Sequence, residues 1–126
     1  MTEIRKEKVT LSELVNMQGA LRKLVVAELP AKLAYRLAKL LKILEPEFTS
    51  YEETRRKLVE KYGDKKEDGN IQVPPEKLND FFGEINEVLK EEVEITFFPF
   101  TVDELAKVEL TVQDIVAIGR LLVETE

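Results

Sequence analysis

The sequence contains no cysteine and no histidine. Without cysteine the protein has no disulfide, no thiolate nucleophile and no cysteine-based metal site, which is compatible with a reducing cytosol. Without histidine it lacks the commonest general base, the commonest zinc ligand and the Ser-His relay. Asp, Glu, Lys and Tyr remain as alternative acids and bases, so catalysis is not forbidden. The composition nevertheless predicts a protein that is not an enzyme and that holds no metal and no cofactor.

Long apolar runs are also absent, since the longest uncharged apolar stretches contain only a few residues. We therefore expect no membrane-spanning segment. The N-terminal stretch MTEIRKEKVTL has no apolar core before a small-residue cleavage site, so we expect no secretory signal. The 126 residues are 44% apolar and 35% charged, which is typical of one soluble, helix-rich domain that includes residues 1–126.

Charge is distributed unequally along the chain. The net formal charge is −6, yet residues 1–42 contain nine Lys/Arg and four Asp/Glu, whereas residues 43–126 contain ten and 21. The first part therefore has a net charge of +5 and the second part a net charge of −11. Such a chain can pair with itself head to tail or bind a charged partner with either end. Ordinary solvated helix faces account for the distribution equally well.

The segment Glu28–Gly63 has the clearest helical pattern. At 100° per residue its apolar side chains fall on one arc about 100° wide, which is typical of a core-facing helix. These side chains are Leu33, Leu37, Leu40, Leu41, Leu44, Phe48, Tyr51, Leu58, Val59 and Tyr62. The phase is kept across Pro46, so the pattern predicts one long kinked helix over about 30–62. A break is the alternative, because Thr49–Glu52 and Ser50–Glu53 have capping-box spacing.

Other segments show further helix and strand patterns. Helices are predicted over about 11–28, 75–91 and 112–124, strands over 7–11, 71–73 and 93–98, and one helical turn over 102–106. The first two helices are expected to form an antiparallel hairpin. Strand, helix and strand over 71–98 fit a parallel βαβ unit, although antiparallel pairing through another strand is also open. The predicted fold is α+β and predominantly helical, with a helical hairpin, a third helix, a short two- or three-stranded sheet and a C-terminal helix.

Local signals mark the ends and interruptions of these helices. Thr10–Glu13 and Thr111–Asp114 both have capping-box spacing. Gly63 is expected to end the long helix. Gly19 interrupts the first helix at a cost of about 1 kcal/mol relative to Ala, and we expect it to mark close packing.

A basic row lies opposite the apolar arc of the long helix. It consists of Lys32, Arg36 and Lys39, with Tyr35 beside them and Lys42 one turn further on. A basic stripe with an aromatic neighbour can bind phosphates, but the acidic net charge and the lack of any nucleic-acid module's signature argue against nucleic acid. A solvated face is the simpler interpretation. If the chain has a partner-binding site, we predict that Lys32, Tyr35, Arg36 and Lys39 form it.

An acidic row lines one side of the third predicted helix. Its members are Glu76, Asp80, Glu84, Glu87 and Glu91. Metal binding there has little support without ligands from a second element, and a solvated face is favoured over mimicry of nucleic-acid phosphates. Phe97, Phe98 and Phe100 surround Pro99 and are expected to form core and a cover over the sheet edge. If Phe98 and Phe100 point outward, they form an apolar patch for a partner.

Five stretches occur in order over nearly the whole chain: ELPAKLAYRLAKLLK, KLVEKYG, DGNIQV, EEVEITF and LTVQDIVAI. Together they resemble a family of small uncharacterised proteins from phages and prophages of Gram-positive bacteria, a domain of unknown function. The resemblance implies a phage-encoded protein, often from the region of structural and late genes, located in the host cytoplasm or the virion. The family brings no catalytic residues, so none are assigned.

Two functional hypotheses follow from these patterns and the resemblance. The first is a non-enzymatic interaction protein, virion-associated or related to assembly, which acts through helical surfaces. Its partner would be a phage structural protein or a second copy of itself in a homo-oligomer. The alternative is a small acidic effector that binds a host enzyme or defence complex, acting as a nucleic-acid mimic. The net charge of −11 after residue 42 motivates this alternative.

Overall fold

The N-terminal strand passes directly into the first helix. In the computed structural model, which describes residues 3–124, β1 (Arg5–Thr10) is followed at once by α1 (Leu11–Val26). The Thr10 hydroxyl accepts a hydrogen bond from the backbone N–H of Glu13 at 3.2 Å. This contact satisfies one of the amides that the first turn of a helix leaves unpaired. The N-terminal cap predicted at Thr10 is therefore present.

The second helix, α2 (Ala31–Tyr62), is continuous over 32 residues, so it is about 48 Å long at 1.5 Å per residue. Pro46 lies inside it, and the alternative prediction of a break near Thr49 is wrong. Proline removes one backbone hydrogen bond from the helix. Leu44 and Tyr51, on either side of it, are both buried, so packing against the core stabilises the helix on both sides of the proline. α1 and α2 contact each other across a short connection, as expected for the predicted hairpin.

A two-stranded hairpin follows α2. β2 (Asp64–Lys65) and β3 (Ile71–Gln72) are antiparallel. The Lys66 N–H donates to the Asn70 carbonyl at 2.7 Å across the turn. Gly69 has φ +90°, a left-handed conformation that favours glycine.

The third helix and the longest strand come next. A single 3-10 turn, Pro75–Lys77, leads into α3 (Leu78–Leu89), and β4 (Glu92–Phe97) follows. β4 pairs with β1 in antiparallel register, with Arg5 opposite Phe97. The predicted third helix is thus shorter than expected at both ends.

Of the two arrangements left open for 71–98, the parallel βαβ unit is wrong. β3 pairs with β2 and β4 pairs with β1, both in antiparallel register. The Leu11 N–H donates to the Glu91 carbonyl at 2.8 Å, so the start of α1 is held beside the residue that precedes β4. Val9 and Val93 lie opposite each other and are both buried. The burial of these two apolar side chains stabilises the pairing of β1 with β4.

The C-terminal part is built from short elements. β5 (Phe100–Thr101) is followed by a 3-10 turn at Asp103–Leu105, where a helical turn was predicted. α4 (Val112–Ala117) is followed by a 3-10 turn at Gly119–Leu121 and by β6 (Leu122–Val123). Residues 3–124 therefore contain three two-stranded sheets, and the predicted α+β, mainly helical class is confirmed.

The prediction of one helix over 112–124 is wrong in its second half. The predicted capping box is present, because the Thr111 N–H donates to Asp114 Oδ2 at 2.9 Å and the Asp114 N–H donates to the Thr111 hydroxyl at 3.1 Å. After Ala117 the chain forms a 3-10 turn and then a short strand. Ile118 and Leu121 are fully buried there, and β6 pairs with β5 in parallel. Burial and long-range pairing thus override the local helical pattern.

One main apolar core joins β1, α1, the first part of α2, β4 and the C-terminal segment. Its buried members are Val9, Leu11, Leu14, Met17, Ala20, Leu21, Leu24, Leu33, Leu37, Leu40, Leu44, Tyr51, Val93, Ile95, Phe97, Phe100, Leu105, Ile118 and Leu121. Phe97 and Phe100 are therefore core residues, as predicted. Phe81 and Ile85 of α3 are also buried but stand outside this cluster. Phe81 packs edge-on against Tyr62 at the end of α2, with ring centroids 6.4 Å apart.

Two glycines differ in what surrounds them. Gly63 follows the last residue of α2 with extended backbone, and its N–H donates to the Val59 carbonyl at 2.7 Å. A Cβ at Gly63 would overlap the Ile71 side chain and the Val59 carbonyl. At Gly19 a Cβ would have no packing neighbour within 4 Å. The predicted close packing at Gly19 is therefore wrong, and close approach occurs at Gly63 instead.

We expect Gly63→Ala to destabilise the protein by roughly 1–3 kcal/mol, because β3 or the helix end must move to make room for the methyl group. Urea denaturation monitored by circular dichroism measures the change. An unchanged or increased free energy of unfolding would contradict this account of Gly63.

The same substitution at Gly19 is expected to have the opposite sign. Gly19→Ala should stabilise the protein by about 0.5–1 kcal/mol, since alanine loses less backbone entropy in a helix interior and meets no steric obstacle here. The two variants measured side by side are matched controls. Destabilisation by Gly19→Ala would show that its surroundings are tighter than described.

Candidate interaction surface

Three of the four predicted site residues lie exposed on the outward side of α2. We call Lys32, Tyr35 and Lys39 the α2 basic face. All three are exposed, and Tyr35 retains 65% of its accessible surface. The helical period explains this position, because the leucines that anchor α2, such as Leu33 and Leu37, point to the opposite side and are buried.

The fourth predicted residue, Arg36, is already engaged within the protein. Its guanidinium carbon lies 4.4 Å from the centroid of the Phe98 ring, which is a cation–π distance. Arg36 and Phe98 are both half-buried. Arg36 therefore helps to hold α2 against the segment that follows β4, and it is less exposed than the other three predicted residues. No local pattern indicates a contact between residues so far apart in sequence.

Among the residues that the structure describes, the lysines of the α2 basic face have no acidic partner. Within residues 3–124, no ion pair within 4.0 Å includes Lys32 or Lys39. Lys39 Nζ instead lies 5.6 Å from the centroid of the Tyr35 ring, one helical turn away. The result is an exposed aromatic ring between two lysines that form no ion pair with any described residue.

A second surface feature, which the sequence analysis did not find, lies between α2 and α3. This α2–α3 groove has a volume of about 550 Å³. Its walls are Thr54, Leu58 and Tyr62 from α2 and Asn79, Asp80, Gly83, Glu84, Glu87 and Val88 from α3. Gly83 leaves its part of the groove empty, since a Cβ there would have no packing neighbour within 4 Å. A glycine inside the helical pattern was the available signal.

The charges beside the groove are only partly neutralised. Lys61 Nζ lies 3.1 Å from Glu84 Oε2, and this pair spans α2 and α3. The neighbouring Tyr62 hydroxyl and the Lys61 ammonium lower the pKa of Glu84 from its ordinary value. Glu87 is paired with Lys90 at 3.5 Å, but both side chains are about three-quarters exposed, so the pair is weak. Asp80 is exposed and has no ion pair within the described residues.

The acidic row predicted from the sequence is only partly maintained. Asp80, Glu84 and Glu87 lie on α3, whereas Glu76 belongs to the preceding 3-10 turn and Glu91 follows the helix. Over residues 3–124, no three acidic side chains are placed to hold a metal ion. In the same part of the chain, every buried side-chain nitrogen or oxygen has a hydrogen-bond partner. None of the helices described is long and apolar enough to cross a membrane.

Further ion pairs attach the C-terminal segment to the rest of the fold. The Arg120 guanidinium binds the Glu13 carboxylate with two nitrogens and the Glu7 carboxylate at 2.7 Å. The hydrogen bond to Glu13 raises the pKa of Arg120 above its ordinary value, and the hydrogen bond to Glu7 has a smaller effect in the same direction. Lys23 Nζ lies 2.5 Å from Asp114 Oδ2. These contacts join β1 and α1 to α4 and to the 3-10 turn that follows it, and we assign them a structural role.

Comparison of the chain with protein families, with curated proteins and with solved structures finds no significant match. The family suggested by the sequence resemblance therefore stays a prediction. Any functional conclusion depends on the surfaces described above.

We expect Asp114→Asn to lower the free energy of unfolding at pH 7. In acidic solution, the free energy of unfolding of this variant should depend less on pH than that of the unmodified protein. The Lys23 ammonium and then the Thr111 backbone N–H lower the pKa of Asp114, so the folded protein holds this proton less tightly than the unfolded chain. The stabilisation is therefore complete above the unfolded-state pKa and is lost as the pH falls through the folded-state value. Urea titrations in steps between about pH 6 and pH 2 measure the effect.

Glu109→Gln is the control for this titration, since Glu109 is exposed and has no ion pair within residues 3–124. It should leave the acid dependence almost unchanged. If Asp114→Asn loses stability as steeply as the unmodified protein below pH 4, its carboxylate does not make the proposed contribution.

Proposed function

We propose that this chain is a non-enzymatic interaction protein that contacts a protein partner through the α2 basic face. The observation that supports this most directly is Tyr35, a large aromatic residue that remains 65% exposed on α2, between two lysines without an ion pair in the described part of the chain. Tyrosine is enriched at the centres of protein interfaces, because its ring buries a large area with little loss of side-chain entropy. A partner that covered Tyr35 would gain this burial.

The surroundings of Tyr35 specify the chemistry of the partner. Lys32 and Lys39 are not neutralised within the described residues, so an acidic surface would be attracted and oriented by them. Arg36 is fixed by Phe98 and contributes positive charge from a rigid position. We therefore propose a partner with carboxylates around an apolar recess that accepts a tyrosine ring.

Recognition is a better proposal than catalysis for this arrangement. The described lysines and tyrosine lie on an open helix face and not in a cleft, where water would be excluded from a reaction. The resemblance to small phage proteins supports the same proposal. It makes a phage structural protein a candidate partner, and the virion or the host cytoplasm the expected location.

We expect substitutions on the α2 basic face to weaken partner binding by about tenfold or more, the range for central interface residues. The variants are Tyr35→Ala and the pair Lys32→Glu with Lys39→Glu. Lys65→Glu with Lys107→Glu is the matched control, because it makes the same charge change at two other exposed positions. Affinity capture from phage-producing cells, followed by titration of the purified partner, measures the effect.

The outcomes separate the two functional hypotheses. Capture that is lost with the α2 variants and kept with the control supports the proposal. Capture of a host nucleic-acid enzyme that depends on Asp80 and Glu91, and not on Tyr35, would support the acidic effector in its place. A strict monomer with no partner sensitive to any of these variants would rule out an interaction role for this face.

A further inference from the structure

A further open surface lies on the half of α2 that extends beyond the main core. A shallow groove of about 620 Å³ follows the helix there, and the residues that line it all belong to α2. Four of them form what we call the α2 stripe: Phe48, Glu52, Arg55 and Val59. Phe48 and Val59 are half-buried, whereas Glu52 and Arg55 are exposed. The stripe therefore combines apolar surface at its two ends with one charge of each sign between them.

The stripe is open because the main core ends before it. Arg55 is 18 residues, or about five full turns, from Leu37, so the two side chains leave the helix axis in the same direction. Leu37 is buried, but the main core ends near Tyr51, so Arg55 reaches solvent. The α2 residues that border α3, Leu58 and Tyr62, lie about 50–90° away around the helix. Packing of α3 on α2 thus leaves the stripe uncovered.

The stripe is complementary to itself when two copies of α2 lie antiparallel. Phe48 and Val59 are 11 residues apart and lie within about 20° of each other around the helix. Glu52 and Arg55 flank their mean direction by about 30° on either side. Both pairs have the same midpoint, between residues 53 and 54. A two-fold axis at that midpoint places Phe48 of each copy against Val59 of the other, and Glu52 against Arg55, which is the property of an isologous interface.

Charge selects this arrangement over a parallel one. In a parallel pair in register, Glu52 meets Glu52 and Arg55 meets Arg55, so like charges repel. Both side chains are available to a second copy. Within residues 3–124 neither forms an ion pair within 4.0 Å, even with the charged neighbours three or four residues away on the same helix. An antiparallel pair therefore neutralises two charges that the single copy leaves exposed.

We propose that a second copy of the chain occupies the α2 stripe, in an antiparallel two-fold dimer. Phe48 packs against Val59 of the other copy at each end of the interface, and two Glu52–Arg55 ion pairs lie between these contacts. Tyr35 lies about 130° around α2 from the centre of the stripe, so the α2 basic face is not part of this interface. The inference goes beyond the proposed function and does not depend on it.

Charge reversal tests the pairing. Arg55→Glu makes the stripe wholly acidic and Glu52→Arg makes it wholly basic, so we expect each variant alone to dissociate at least about tenfold more readily than the unmodified dimer. An equimolar mixture of the two should form a heterodimer, and the double variant Glu52→Arg with Arg55→Glu should recover the homodimer. Lys107→Glu and Glu109→Arg are the matched controls, because they make the same charge changes at other exposed positions. Sedimentation velocity from about 1 μM to 1 mM measures the masses.

Disulfide formation tests the direction of the helices. The chain has no cysteine, so a mixture of Phe48→Cys chains and Val59→Cys chains contains only the introduced thiols. An antiparallel dimer should give the mixed disulfide, whereas a parallel dimer gives disulfides between identical positions. Non-reducing electrophoresis, with one of the two chains lengthened by a tag, separates the products. Circular dichroism of each variant confirms that the fold is kept.

Each result supports or overturns the inference. A monomer at all concentrations, a dimer unaffected by the charge variants, a mixture that fails to reassociate, or disulfides between identical positions overturns it. If the chain is monomeric and capture of another protein depends on Arg55, the stripe binds a foreign partner and self-pairing is wrong. None of these variants alters Tyr35 or the lysines beside it. Failure of the dimer is therefore distinguishable from failure of the proposed function, which is tested at Tyr35.

Discussion

The continuous burial of one face of α2 is the constraint on which the rest of the structure depends. Leu33, Leu37, Leu40 and Leu44 are at most 4% exposed, and Tyr51 continues the buried face beyond Pro46. Each buried leucine contributes about 1.5–3 kcal/mol of transfer free energy, whereas a proline inside a helix costs about 3 kcal/mol. Burial on both sides of the proline therefore exceeds the cost of including it, and the helix stays whole.

Because α2 is continuous, it extends beyond the main core and packs on α3. The main core ends near Tyr51, and the last turns of α2 pack instead on α3 through Tyr62 and Phe81. Gly63 lets β3 approach the helix end closely, so the chain turns back at once and places α3 alongside. The α2 basic face and the α2–α3 groove are thus held at a fixed separation by one rigid element.

The internal ion pairs explain which charges remain for a partner. Arg120 is paired with Glu7 and Glu13, and Lys23 is paired with Asp114, so these charges attach the C-terminal segment to the rest of the fold. Exposed ion pairs contribute only about 0–1 kcal/mol each, but a guanidinium bound to two carboxylates also fixes geometry. Lys32 and Lys39 take no part in this network.

Features that depend on local chemistry were predictable from the sequence. The apolar arc of α2, the exposure of Lys32, Tyr35 and Lys39, and the caps at Thr10 and Thr111 all follow from the 3.6-residue period and from side chains that reach their own backbone. These contacts lie within a few residues of each other. Neighbouring residues therefore carry enough information to specify them.

Tertiary structure alone decided the remaining features. The pairing of β1 with β4, the extension of the chain after Ala117 and the contact of Arg36 with Phe98 all join residues distant in sequence. Short strands and apolar helices are compatible with several partners, and the choice among them depends on which arrangement buries the most apolar surface. The α2–α3 groove has the same origin, since Gly83 leaves an opening only because α3 packs on α2. The sequence by itself determined which side chains α2 exposes, and packing determined what lies beside them.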